Sequence, residues 1–600
     1  MAFIDAEAAG KQDYDVIVVG SGAGGGQMAY TLAMSGVRVL MLEAGRKYDP
    51  ASETAMFQTP EMAPLRGVGT PDKPLGFYDA TIGGWQLPGE PFVSASEKEG
   101  ERFQWWRARM LGGRTNHWTR YSFRNGPYDF KPRSRDGLGF DWPIAYADMA
   151  PYYDKVEMLV GVYGSNDGLE NTPDSPDGCL LPPPKPIVSD LLIRKHGAKL
   201  GLPVVASRRA VLTQPLDWKS LPAKLHPGSA SAQDILARDM RKRSPCFWAT
   251  PCGQGCSIRA NYQSPTVHLP PALETGKLDI VTDAMVAEVL LAKNGRASGV
   301  RFVDKRSGRS REARARAVVL AASAYETVRI LLNSRSAKFP QGLANSSGKV
   351  GKYLTDTVGS YLAGQIPRLE NLPAHNEEGA SGGHMYVPWW GYKAQKAGKL
   401  PFARGYHIEF FGGRRMPSFY TNAGLEWLTG GSYGRKLKED ARRYYGSMVY
   451  FAGRGEMIPN EDSYCEIDSG TKDQWGIPAL RFHWKWSDQE TRQAAHMQST
   501  FADLIEAMGG RTQKPPEKNG AKAIAPGGSI SHEVGGAIMG DDPHTSVVNK
   551  WCQAWDVANL FIADGASFPS SPDKNPTLTI MANAWRVGDH IVERMRRREL

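Results

Sequence analysis

Apolar runs of two kinds punctuate the two ends and the middle of this chain, and their periods predict its elements. Asp15-Val-Ile-Val-Val19 is short, β-branched and closed by glycine, which reads as a buried strand. Gly20-Ser-Gly22-Ala-Gly-Gly25 follows. Gln27 to Ser35 then reads as a helix ending at Gly36, and Val37-Arg-Val-Leu-Met-Leu42 as a second strand closed by Glu43. Further strands are predicted at Lys277–Val281, Met285–Ala292 and Gly299–Val303. Ala317-Val-Val-Leu-Ala-Ala322 is an apolar strand leading into a helix from Tyr325 to Asn333. Leu560-Phe-Ile-Ala-Asp564 is a strand running into Gly565, and Thr577 to Arg594 reads as a long helix. Between these blocks lie 131–264 and 356–524, richer in Pro, Gly and aromatics, with strand-like pieces such as Arg404-Gly-Tyr-His-Ile-Glu-Phe-Phe411.

The first strand, turn, helix and strand occupy about thirty residues, the setting in which a G-x-G-x-x-G turn binds a dinucleotide. Gly20, Gly22 and Gly25 let the backbone approach a pyrophosphate, the helix N-terminus stabilises its charge, and Glu43 can bond ribose hydroxyls.

Six hundred residues with 41% hydrophobic content allow a large core, enough for two joined domains. The formal charge is +10, with basic clusters at Arg238 to Arg243 and Arg594 to Arg598. No nucleic-acid signature accompanies them, so they read as solvated faces or as a docking surface for an acidic partner. Met1 to Glu7 lacks the basic and apolar regions of a signal peptide, and no apolar run approaches bilayer length. Taken alone, these features predict a cytoplasmic protein.

Three of the six cysteines, Cys179, Cys465 and Cys552, are scattered and suggest no disulfide framework. The others form Cys246-Phe-Trp-Ala-Thr-Pro-Cys252-Gly-Gln-Gly-Cys256. Closely spaced thiolates in a Gly/Pro-rich loop suit an iron–sulfur cluster. With His268 they could hold zinc, and as buried thiols they could simply pack. Spacing alone leaves all three open.

Taken together, the blocks resemble the glucose–methanol–choline (GMC) family of flavoenzymes over essentially the whole chain. Leu111-Gly112-Gly113-Arg-Thr-Asn116-His117-Trp118 is similar to the family's second glycine-rich signature, which lies along the flavin. Ser531-His532-Glu-Val-Gly535 resembles its catalytic-histidine block, and Asp564-Gly565 with Asn575-Pro576-Thr577 its terminal block. Asp141 to Tyr153 and Gly342 to Gly348 look like the branch of bacterial sugar dehydrogenase large subunits acting on gluconate, fructose, glucose and glucosides.

The resemblance implies an α/β, two-domain flavoprotein. Its Rossmann-like FAD-binding domain would comprise 13–130, 265–355 and 525–600, and its antiparallel-sheet substrate domain 131–264 and 356–524. It implies FAD as cofactor, held by the residues of both glycine-rich turns, Glu43, Asn116, His117 and the terminal block. It implies His532 as the base and Asn575 as its partner in oxidising a sugar or glycoside hydroxyl, with C3 of a pyranoside preferred. Some relatives attach FAD through a Thr-His-Trp histidine. Here the stretch is Thr115-Asn116-His117-Trp118, one residue longer, so attachment and simple packing both stay open.

Several members of the branch carry a 3Fe–4S cluster on a similar cysteine run, which implies Cys246, Cys252 and Cys256 as ligands. It implies electron exit to a cytochrome c-type partner, and a small export subunit that would carry the folded chain to the periplasm. An oxidase using oxygen and a non-redox FAD-holding lyase or binding subunit are the alternatives. Tyr386 to Trp390 and Arg404 to Glu409 are expected to line the sugar site.

Overall fold

The computed structural model describes residues 3–53, 83–98, 100–247, 252–372, 383–413 and 419–600, by backbone alone at 254 and 419–423. One sheet is built from β1 (Asp13–Val19), β2 (Val39–Leu42), β3 (Leu278–Val281), β4 (Ala284–Leu291), β5 (Ala297–Asp304) and β6 (Arg309–Leu320). Its order is β3-β2-β1-β6-β5-β4, and a seventh strand, Leu560–Ile562, pairs with the end of β6. β6 changes character along its length. Arg309 to Arg314 form a hairpin with β5 that stays partly wet, while Val318 to Leu320 lie between parallel β1 and the 560–562 strand and are fully buried. Burial on both faces is why the second half is continuously apolar.

Helix α1 (Ala23–Met34) starts four residues earlier than its hydrophobic pattern predicts. The extra turn contains Gly24, Gly25 and Gly26, poor helix formers that are needed here for close approach. A Cβ on Gly24 would lie 2.0 Å from the Ala563 carbonyl oxygen, and one on Gly25 would lie 2.0 Å from that of Gly20. One on Gly26 would lie 2.1 Å from Ser264 Oγ. Helix α2 (Ala324–Asn333) follows β6.

The second sheet is antiparallel throughout. It contains β7 (Val358–Gln365), β8 (Met385–Val387), β9 (Tyr406–Gly412) and β10 (Met448–Gly455), in the order β7-β10-β9-β8, with Arg511–Thr512 and Val205–Ala206 at its edges. Helix α3 (Asp488–Ala507) packs against β7 and β10. Gly453 and Gly455 permit this, because a Cβ on either would overlap Met497 or Gln493. The final helix, α4 (Thr577–Arg596), lies along α1, with Gly588 close to Thr31. Among the described residues no helix is long and apolar enough to cross a membrane.

The strand period fixes what the second sheet offers the first. His407 and Glu409 are two apart on β9 and share a face, and Arg454 on β10 is directly opposite His407. That face turns toward the ends of β1 and β6, and the site lies between the two sheets.

Candidate active site

A cavity of about 430 Å³ runs from the β1–α1 turn to the second sheet. At one end Gly20, Gly22, Glu43, Arg107 and Met285 line it, and at the other His532, Asn575, Glu409 and Arg454. The turn has the form a dinucleotide needs. Gly20 is left-handed (φ +95°), and a Cβ on Gly22 would meet no protein atom within 4 Å. Glu43 already accepts from Ser21 N–H at 3.0 Å, from Ser21 Oγ and from Gly45 N–H at 2.6 Å, and burial raises its pKa. Arg107 lies against Trp105; its buried Nε and Nη1 make no hydrogen bond, and Nη1 lies 3.9 Å from Glu90 and 3.9 Å from Glu326. Burial lowers its pKa to about 10, with the neighbouring Arg109 charge adding to the effect. Orphaned buried donors beside an open glycine turn fit the anionic and ribose portions of FAD.

At the opposite end the polar groups are interlocked. Asn575 Nδ2 donates to His532 Nε2 at 3.1 Å and to Glu409 Oε1 at 3.3 Å. His532 Nδ1 pairs with Thr357 Oγ1 at 3.0 Å, and its backbone N–H donates to Asp356 Oδ1 at 2.9 Å. Asp356 also accepts from the N–H groups of Thr357 and Ile530, so one buried carboxylate fixes the loop that carries the histidine. Burial, with the Glu533 charge adding, raises the Asp356 pKa despite these bonds. Ser531, just before the histidine, is left-handed at φ +62°.

The His532 pKa falls to about 3, first through burial and then through Arg454, with Glu409 opposing. Burial alone would raise Glu409, but Arg454 and His407 outweigh it and hold the carboxyl at about 2. His532 is therefore neutral and Glu409 ionised at ordinary pH.

Behind the cavity, Arg120 joins two loops. Its Nη2 donates to the carbonyls of Thr115 (3.0 Å) and Asn116 (3.3 Å), its Nη1 to those of Trp118 and Cys252, and its Nε to that of Tyr262 (3.1 Å). Arg120 is fully buried, and no carboxylate pairs with it among the described residues; the thiols of Cys252 and Cys256 are the groups whose charge would favour its own. Cys246 and Cys252 pack around Tyr163 and Val211, and Cys256 Sγ accepts from Ala260 N–H at 3.3 Å. Burial raises the Cys256 pKa. Among the described residues no three His, Cys, Asp or Glu side chains gather around one ion. His268 pairs with Tyr262 OH at 3.1 Å. Residues 248–251 of the cysteine run lie outside the described residues.

Two matches cover most of the chain: the N-terminal GMC oxidoreductase profile over residues 14–358 and the C-terminal one over 459–584. The chain is a GMC oxidoreductase. It is 29% identical to a 2-methyl-1,2-propanediol dehydrogenase of Mycolicibacterium austroafricanum, over 97% of this chain and 95% of that one. It is 27% identical to the fructose dehydrogenase large subunit of Gluconobacter japonicus, over 96% and 97%. A formate oxidase of Aspergillus oryzae shares the fold, with a TM-score of 0.60 over 98% and 99% of the two chains at 14% identity. The protein is an FAD-dependent oxidoreductase acting on alcohol or sugar hydroxyls.

In this oxidoreductase Gly20, Gly22, Glu43, Gly113, His117, His532, Asp564, Gly565, Asn575, Pro576 and Thr577 all line the cavity. His117 lies edge-on to Trp106, with ring centres 4.9 Å apart. Asp564 accepts from Thr327 Oγ1 at 2.6 Å and from Ala566 N–H at 2.9 Å, and burial lifts its pKa to about 6. Gly25, Gly112 and Asn116 stand behind the lining. Gly25 serves packing within the turn, Gly112 N–H donates to Ser21 Oγ, and Asn116 Nδ2 ties the carbonyls of Leu111 and Gly113.

Of the residues expected to line the sugar site, Glu409 lines this cavity, and Tyr386, Trp389 and His407 line a smaller pocket beside Asp573 and Lys574. Tyr386 stacks on Phe123, Trp389 packs on Tyr406, and Arg404 is buried between Glu456 and Asp136. Their apolar bulk draws the aromatics into the core of the second sheet. Thr357, Asp356, Arg454, Arg107 and Arg120 were not singled out from the sequence. Only Arg454 carried a signal, as a charge inside an otherwise apolar strand.

Proposed function

We propose that this enzyme oxidises a secondary ring hydroxyl of a sugar or glycoside, C3 of a pyranoside being the preferred target. The observation that carries the reading is the His532–Asn575 pair on the cavity wall, with Arg454 and Glu409 beside it. Bound FAD supplies the hydride acceptor. The substrate hydroxyl displaces the Asn575 N–H from His532 Nε2; Nε2 takes the hydroxyl proton as the carbinol carbon loses its hydride, and the displaced N–H holds the oxygen. A neutral imidazole within hydrogen-bond reach is the base such a step needs. Arg454 offers donors to the neighbouring hydroxyls that a sugar has and a simple alcohol lacks. Anaerobic bleaching of the flavin by a panel of sugars, with product regiochemistry read by NMR, tests the substrate class. His532→Ala should slow bleaching about 10²–10⁴-fold. An unchanged rate would remove His532 as the base.

The same proposal places a 3Fe–4S cluster on Cys246, Cys252 and Cys256, supplying one-electron exit to a cytochrome c-type partner. Arg120 supports it: a buried cation otherwise solvated only by carbonyls stands against two of the three thiols. Iron and acid-labile sulfide assays decide this. Protein free of both, and as fast with oxygen as with an artificial acceptor, would be an oxidase. Co-export to the periplasm with a small subunit completes the proposal. Fractionation of cells expressing the chain with and without a co-expressed small subunit tests it.

A further inference from the structure

The His532–Asn575 pair can be built in two ways. In the first, Asn575 Nδ2–H donates to His532 Nε2 and the imidazole proton sits on Nδ1, donating to Thr357 Oγ1. In the second, the amide is turned over: the proton sits on Nε2 and donates to Asn575 Oδ1, while Nδ1 accepts from the Thr357 hydroxyl. A hydroxyl both donates and accepts, so Thr357 satisfies either form. The far end of the amide does not decide, because Asn575 Oδ1 is buried without a partner in the first form and the amide nitrogen would take that place in the second. Yet only the first leaves Nε2 without a proton, so that a substrate hydroxyl displacing the Asn575 N–H from Nε2 can give its proton there and receive that N–H on its oxygen.

One group breaks the tie. Glu409 Oε1 accepts the second Asn575 Nδ2–H at 3.3 Å, and a carboxylate facing a turned-over amide would meet Oδ1, acceptor against acceptor. Arg454 Nη2 lies 3.4 Å from Glu409 Oε2 and His407 Nε2 lies 3.4 Å from Oε1, so the carboxylate is kept both ionised and in place. His407 is braced in turn, its Nδ1 lying 3.8 Å from Asp573, whose carboxylate pairs with Lys574 at 2.7 Å.

We infer that Glu409 is a positioning residue that selects the proton-accepting tautomer of His532 by orienting the Asn575 amide. This rests on His532 being the base. It goes beyond that assignment by naming what makes the imidazole competent. The charged and titratable groups that bear on the ring are Arg454, Glu409 and His407 from the second sheet and Arg114 from the flavin-side loop. Asp356 and Glu533 sit at the ring's own backbone.

The test uses the FAD-loaded enzyme and three variants: Glu409→Gln, Asn575→Ala and the double. Glu409→Gln keeps the shape but offers either an oxygen or an N–H to the amide, so the selection is lost. Flavin reduction by substrate should slow by at least about tenfold with little change in substrate KM, the pattern of a lost transition-state contact. In the Asn575→Ala background the same change should add little, since Glu409 acts through Asn575. ¹⁵N NMR of histidine-labelled protein, with His532 assigned by His532→Ala, reads the tautomer directly. The bare Nε2 signal of the parent should be joined by that of a protonated Nε2 in Glu409→Gln. A parent tautomer unchanged by Glu409→Gln, or a full additive effect in the Asn575→Ala background, would overturn the inference. If His532→Ala itself bleaches at the parent rate, the base assignment fails instead, and the two failures are told apart.

Discussion

The catalytic wall and the cysteine loop both bury arginine, and they neutralise it differently. In the wall every cation has a carboxylate: Arg454 faces Glu409, Arg114 holds Glu533 at 2.5 Å, and Arg109 bridges Glu90 and Glu326. At the cysteine loop Arg120 has five carbonyls and two nearby thiols. A paired charge fixes geometry by itself, which suits side chains that must be poised before substrate arrives. A charge held only by dipoles remains in deficit unless the thiols ionise, since burying an ion without a counter-charge costs several kcal/mol. The first arrangement is preorganised, and the second is the one that the proposed cluster would complete.

The contrast breaks most visibly at Arg120. Arg120→Met would leave five buried carbonyls short of a donor, at about 1–3 kcal/mol each before relaxation. We expect a large drop in the urea midpoint and loss of iron from the purified protein. A variant as stable and as iron-rich as the parent would erase the distinction. On the proposed cluster, Cys252→Ser should strip iron while sugar-driven bleaching stays at the parent rate, because that thiol belongs to the second region only. Slower bleaching would show that the regions share more than a connecting arginine.

The smallest effect is in pH dependence. His532 acts as the neutral base, and its pKa is depressed to about 3, so activity is retained as pH falls and is lost only on approach to that value. A kcat/KM profile flat between about pH 8 and about pH 5 is expected. Removing the Glu409 charge, which favours protonation, should move the acid limb lower still. A limb near the ordinary histidine value would mean that Arg454 and burial do not act on His532 as the geometry implies.

How far the sequence could be read depended on whether a residue's neighbours were local. The β1–α1–β2 unit was legible because its strand, turn and helix are consecutive and the apolar runs match the burial they receive. His532 and Asn575 were legible because each sits in a distinctive block. Arg120 was not, since its meaning depends on carbonyls at 115–118, 252 and 262, and its own neighbourhood in the chain carries no pattern. Asp356 and Thr357 were missed for the same reason: an acid and a hydroxyl before a strand are unremarkable until residue 532 folds over them. The aromatics at 386–390 read as a sugar platform; much of their bulk packs in the core of the second sheet, while Tyr386 and Trp389 also face a smaller pocket beside Asp573.

The way β6 is flanked has a consequence for how the enzyme is made. Its buried half waits for Leu560–Ile562, and the cofactor cradle draws on residues near 20, 110, 285, 322, 532 and 564 to 577. Pairings of such sequence separation close slowly and late. The flavin therefore has nowhere to bind until the residues around 577 have left the ribosome. Cofactor insertion waits on that late segment, and a growing chain must keep a half-flanked, strongly apolar strand from finding other partners until residues 560–562 arrive.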